Sequence, residues 1–157
     1  MNWSTEMMVR RFAPREVAGL TGVAEDRQRL IANRYFDFRE SIEPINSHRR
    51  WGWEGIQALA AFQEIMTDMP NAGRALDMVK GDSQSLSYQM DLRDRDEDTL
   101  FAYYFDTPVL AGAAVTTPKG IGQVFGFADA VSRPARLYVY NLSDLQRRLC
   151  DKLDLDR

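Results

Sequence analysis

Up to about residue 70 the apolar positions recur at helical spacing, and beyond it they alternate. Pro14 suits a first helical turn, where its missing N–H costs nothing, and Val17, Ala18 and Leu20 give the helix that follows one apolar side. Thr21-Gly22-Val23 reads as a tight turn. A second helix is predicted from about Ala24 to Arg34, with Leu30 and Ile31 inward and Arg27 and Arg29 on other faces. Between Phe36 and Arg50, the residues Pro44, Asn46 and Ser47 separate short mixed runs, which predicts a hairpin or irregular wing. Trp53, Ile56, Leu59, Ala60 and Ile65 mark the clearest helix, and the loop-forming run Thr67 to Gly73 ends it.

In the second half, Leu86, Tyr88, Met90 and Leu92 alternate with polar residues, the period of a strand with one buried face. The charged loop Arg93 to Asp98 and the aromatic run Thr99 to Phe105 make this a predicted hairpin. Val109 to Thr117 and Arg136 to Tyr140 are further strands. Ser143-Asp144-Leu145-Gln146 matches a capping box, and Leu145, Leu149 and Leu153 run as one apolar stripe down a final helix. The prediction is therefore an α+β chain whose residues 12–69 and 74–157 form two small domains, the second with an antiparallel sheet and a C-terminal helix.

Composition narrows the chemistry. Hydrophobic residues at 45% and charged residues at 27% describe a folding chain. A net charge of -3 argues against indiscriminate coating of polyanions but permits a local basic face. One cysteine, Cys150, and one histidine, His48, exclude a disulfide framework within the chain and a zinc finger, since both need several ligands. Neither a Ser-His-Asp nor a Cys-His arrangement is supported, so no catalytic residue, metal or cofactor is expected, and Cys150 reads as a small buried hydrophobe. Asp94, Asp96 and Asp98 imitate the start of a calcium loop. Thr99 and Phe105 stand where the turn glycine and the bidentate glutamate belong, so the run reads as a solvated loop. Lys119 to Gly126 holds glycines of a turn or bulge rather than a dinucleotide loop. No charged-then-apolar leader opens the chain, and its longest uncharged stretch, Thr107 to Pro118, falls short of the roughly 20 residues of a membrane helix. A cytoplasmic, nucleoid-associated protein is expected.

Charge is unevenly placed. Residues 1–66 carry nine arginines against nine acids, yet Arg27 to Arg50 holds six arginines against Asp37, Glu40 and Glu43. That excess follows a segment, Pro14 to Ile31, with the layout of a helix-turn-helix: a small residue, Ala18, where two helices meet, Gly22 at the turn, and Val17 with Ile31 closing the angle. Gln28 stands where an apolar core residue is usual.

The stretch Phe12 to Met66 resembles the winged helix-turn-helix head of MerR-like regulators. Glu16-Val17-Ala18, Thr21-Gly22-Val23, the basic run Arg27 to Arg34, the pair Arg49-Arg50, Trp51 and the helix Glu54 to Ile65 carry the likeness. Extra acids between Asp37 and Ser47, and the lack of a long coiled-coil arm after the head, depart from the family pattern. The resemblance implies a recognition helix presenting Arg27 and Gln28 or Arg29 to base edges, with Arg34 on phosphate. It implies a wing placing Arg49 and Arg50, with His48 beside them, on the backbone or in the minor groove. Arg15 on the first helix completes the candidate DNA contacts. The expected function is a sequence-specific transcriptional regulator that binds double-stranded DNA as a homodimer, with no membrane partner. Its second domain would dimerise, bind a protein partner or sense a small effector. The alternative is a protein-interaction module, such as a phage or toxin-antitoxin component, whose arginines meet an acidic partner surface.

Overall fold

The computed structural model describes residues 6–7, 9–34, 42–45, 48–69, 71–81, 97–106, 109–122 and 137–153. They form a mixed α+β fold with five helices of eight or more residues, a two-stranded hairpin and a three-stranded antiparallel sheet.

Helix α1 (Pro14–Thr21) has proline in its first turn, as expected, and Ala13 as a cap residue with no side chain to offer. Glu16 compensates by accepting the Ala13 N–H on Oε2 at 2.7 Å, the backward reach of a capping box. The helix stops at Gly22, whose φ of 77° lies in the left-handed region and whose N–H donates to the Ala18 carbonyl at 2.9 Å. Thr21 reinforces the exit. Its hydroxyl donates to the Val17 carbonyl at 2.8 Å and accepts the Val23 N–H at 3.1 Å, so one side chain joins the last turn to the chain beyond Gly22.

Helix α2 (Glu25–Arg34) follows, with Glu25 and Asp26 in its first turn, where negative charge suits the helix dipole. Its buried residues are Gln28, Ile31 and Ala32. Leu30, expected inward, is instead 51% exposed. Ile31 and Ala32 set the inward direction; position 28 lies one turn behind them on the same face, while position 30 is rotated away.

Strands β1 (Ile42–Ile45) and β2 (His48–Trp51) pair antiparallel, with Ile45 opposite His48, so the expected hairpin is present; Phe36 to Ser41 lie outside the described residues. Trp51 also forms a bridge with Phe12, each N–H donating to the other's carbonyl at 2.9 and 3.0 Å. Both side chains are buried, and the Phe12 ring lies 6.3 Å from that of Trp53. The hairpin is thereby tied to the segment that leads into α1.

Helix α3 (Trp53–Asp68) buries ten residues, among them Ile56, Leu59, Phe62 and Ile65. Beyond residue 70 the chain re-enters a helix that the apolar pattern does not predict, α4 (Ala72–Gly81), capped by Asn71, whose Oδ1 accepts the Arg74 N–H at 3.1 Å. Ala75, Leu76 and Val79 are its buried residues, and it packs on α3.

Strands β3 (Leu100–Asp106), β4 (Val109–Thr116) and β5 (Leu137–Asn141) form the sheet in the order β4-β3-β5. β3 is paired on both sides, Phe101 standing between Val115 and Tyr140. Its neighbours are therefore β4 and β5 rather than the expected strand Leu86 to Leu92, which lies outside the described residues.

The last helix, α5 (Leu142–Lys152), is capped two residues earlier than expected. Asn141 Oδ1 accepts the Asp144 N–H at 2.9 Å, while the Ser143 hydroxyl is taken by the Thr99 N–H at 2.8 Å, which fastens the helix to β3. Leu145, Leu149 and Cys150 are buried, as expected. They belong to the same buried cluster as Phe12, Val17, Ile31, Trp51, Phe62 and Phe101, so one core continues across the break at Pro70. Lys152 Nζ donates to the Leu20 carbonyl at 2.8 Å, joining the end of α5 to the end of α1.

Candidate functional site

Three of the eight candidate residues, Gln28, Arg29 and Arg49, line a groove of about 260 Å³ between α2 and the hairpin. Arg29, Glu25, Asp26 and Gln28 line it from the helix, Arg49 and Trp51 from the strand. The two walls are held in register by side chains: Arg49 Nη2 donates to Asn33 Oδ1 at 2.8 Å. Behind it, the Phe12–Trp51 bridge fixes the strand, and buried Ile31 and Ala32 fix the helix. The exposed edge of α2 then presents Asp26, Arg29, Leu30 and Asn33, the i, i+3, i+4, i+7 set of one helical face, with Arg34 beside them.

The candidate contacts divide into three groups. Arg15, Arg29, Arg34 and Arg49 are exposed and Arg50 is half-buried, so their guanidinium groups lie at or near the surface. Arg27 is turned toward α3, its guanidinium carbon 5.0 Å from the centre of the Phe62 ring, a cation–π contact that uses its charge within the fold. Gln28 is withdrawn altogether. It is 1% exposed, and its Nε2 donates to the carbonyls of Pro14 at 2.9 Å and Val23 at 2.8 Å. The expectation that Gln28 reaches outward to a ligand is corrected. An amide does here what an apolar residue does elsewhere, filling the core position, and in addition ties α2 to the start of α1 and to the turn between the two helices. His48 is placed in β2 by its pairing with Ile45.

Asn33 was not among the sequence candidates. Its position four residues after Arg29, on the same face, was the signal available, but its partner Arg49 comes from a strand whose approach no helical spacing reveals.

Electrostatics separate these arginines from the basic residues of α5. Arg15, Arg29, Arg34 and Arg50 make no ion pair or hydrogen bond among the described residues. In α5 every basic residue is engaged: Arg147 with Asp98 and Asp144, Arg148 with Glu64 and Asp144, and Lys152 with the Leu20 carbonyl. Asp98, read from sequence as part of a solvated loop, accepts bonds from Asn141 Nδ2 at 2.6 Å and from Arg147. The Asn141 amide first, and Arg147 second, hold its carboxyl below the usual aspartate range. Glu97, paired with Lys119, is lowered in the same way, first by that side-chain bond.

Among the described residues no three His, Cys, Asp or Glu side chains gather in a way that could hold a metal ion, and no helix is long and apolar enough to cross a membrane. No protein-family model matches the chain, and a search of curated proteins finds no significant relative. Chemically, the site offers the planar cationic donors of Arg29 and Arg49 beside the carboxylates of Glu25 and Asp26, with the exposed Leu30 side chain on the adjoining helix face.

Proposed function

We propose that the chain is a sequence-specific DNA-binding transcriptional regulator whose residues 12–69 act as a MerR-like winged helix-turn-helix. In this reading α1 crosses the backbone, α2 enters the major groove, and the hairpin sets Arg49 and Arg50 on the backbone or in the minor groove, with His48 beside them. Arg29 is the base reader among the arginines of α2, Arg34 and Arg15 meet phosphate, and Arg27 and Gln28 hold the helix in place. Two copies read paired half-sites as a homodimer, and residues 74–157 supply dimerisation, a partner surface or a sensing site.

The observation that carries this reading is the set of arginines on α1, α2 and the hairpin with no acidic partner among the described residues, in a chain whose α5 engages every basic residue it has. Guanidinium donors left unused on rigid elements suit phosphate and guanine edges. Glu25 and Asp26 at the amino end of α2 repel phosphate, so the helix meets a duplex through the later part of its outer face, from Arg29 to Arg34, and not end-on.

Gel shifts across a salt series test it. Arg49→Ala and Arg50→Ala are each expected to weaken binding and flatten the dependence of log K on log salt by about one unit. Unchanged slopes remove the hairpin from the interface. A stoichiometric protein that co-purifies with the chain, with no DNA sequence enriched from a random pool, favours the protein-interaction module instead.

A further inference from the structure

Position 30 inverts the rule that the rest of α2 obeys. The helix buries a glutamine and exposes a leucine two residues later, when exchanging the two would satisfy both by polarity. Gln28 has a reason to be inside, since its two bonds tie α2 to the start of α1 and to the turn between them. Leu30 is half exposed on the face that Arg29 and Asn33 share, and departures from local consistency concentrate at functional sites. Val9 and Val139 are also exposed, but neither stands on the outer face of α2. Leu30 is followed by Asn33 and Arg34 one turn on, adjoins Arg29, and has only Asp26, one turn before it, as an acidic neighbour on that face. An apolar side chain framed by cationic and amide donors complements a surface that is anionic at its rims and presents an isolated apolar group between hydrogen-bonding edges. The major groove offers one such group, the thymine 5-methyl.

We infer that Leu30 is a specificity-determining residue that packs on a thymine 5-methyl group in the major groove, so that each half-site contains a thymine read by shape and not by hydrogen bonding. This rests on the DNA-binding reading above. The contact is made by Leu30 Cγ and its methyls, with Arg29 reading the adjoining base edge and Arg49 steadying Asn33 beside them.

The test uses the full chain and the duplex it enriches from a random pool, in two forms: the natural sequence, and the same sequence with deoxyuridine replacing each thymidine in turn. The replacement removes one methyl and leaves every hydrogen-bonding group in place. At one position per half-site, the wild-type chain should bind the uracil duplex about four-fold more weakly, the worth of one buried methyl. Leu30→Ala should bind the two duplexes equally, with an unchanged salt slope and an unchanged melting curve, since the side chain is half exposed and touches no phosphate. Equal binding of the thymine and uracil duplexes by the wild-type chain overturns the inference alone. So does a Leu30→Ala chain that keeps the discrimination while losing a co-purifying protein, which would make Leu30 a protein contact. Failure to enrich any duplex overturns the DNA-binding reading and this inference together.

Discussion

The α1–α2–hairpin region and the sheet with α5 use the same residue type in opposite ways. Around the sheet, arginine is a fastener. Arg147 links α5 to Asp98 before β3, and Arg148 links it to Glu64 of α3. In the α1–α2–hairpin region the interior is fastened by neutral groups, the Thr21 hydroxyl, the Gln28 amide and the Phe12–Trp51 bridge; Arg27 and Arg49 are engaged at its edge, while Arg15, Arg29, Arg34 and Arg50 have no side-chain partner among the described residues. The difference teaches that arginine count says little about a binding surface. What distinguishes one is how many guanidinium groups the fold has not used itself. A chain with 17 arginines among 20 basic residues, and a net charge of -3, hides this distinction completely in its composition.

The largest expected effect tests the neutral fastening. Trp51→Ala removes a fully buried ring from the strand that anchors the hairpin, and should lower unfolding free energy by about 3 to 5 kcal/mol, read by denaturant titration. Binding of DNA should fall with it, because the hairpin and α2 lose their common support. A loss below about 0.5 kcal/mol, the range of surface substitutions, would mean that burial of the Trp51 ring is not what holds the hairpin.

The next test sets one arginine of each kind against the other. Arg29→Ala should weaken DNA binding by about 1 to 3 kcal/mol while changing stability by no more than about 0.5 kcal/mol. Arg147→Ala should do the reverse. Its ion pairs are half exposed and screened by solvent, so the loss of stability should be no more than about 1 kcal/mol, with binding unchanged. Equal effects on binding from the two substitutions would erase the contrast between used and unused guanidinium groups.

The smallest effect is one of pH. Because Asn141 and Arg147 favour the charged form of Asp98, its folded-state pKa is depressed, and the unfolded chain binds protons more readily than the folded one as acid is added. The stabilisation is full above the ordinary aspartate pKa of about 4, and is lost as pH falls through the lower folded value. Asp98→Asn should therefore flatten the acid limb of stability against pH, measured by thermal melting between neutral and strongly acidic buffer. An acid limb identical to that of the wild type would exclude Asp98 as its source.

Much of the local structure was legible because single residues dictate it. Pro14 and Gly22 bracket α1, since one supplies a fixed φ and the other tolerates a positive φ. Trp53, Ile56, Leu59 and Ile65 repeat often enough to orient a 16-residue helix. Helix α4 was passed over because it follows the Pro70 to Gly73 run at once, where loop-forming residues masked the spacing of Ala75, Leu76 and Val79. The start of α5 was misplaced because two hydroxyl- or amide-bearing residues, Asn141 and Ser143, compete for one cap, and only the arrival of Thr99 shows which is free to serve.

By itself, then, the sequence determined where the helices of the first 70 residues lie, that a turn requires Gly22, and that arginines cluster between residues 27 and 50. The tertiary structure decided which of those residues face outward. Helix α2 has ten residues, and Leu30, Ile31 and Ala32 follow one another, so its apolar pattern does not specify a face. The choice was made by partners distant in the chain. The Pro14 and Val23 carbonyls accept the Gln28 amide, Phe62 receives Arg27, and Arg49 holds Asn33. Those contacts rotate the helix so that Leu30 and Arg29 are what it offers, because a short helix with a weak stripe takes its orientation from the surface it packs against.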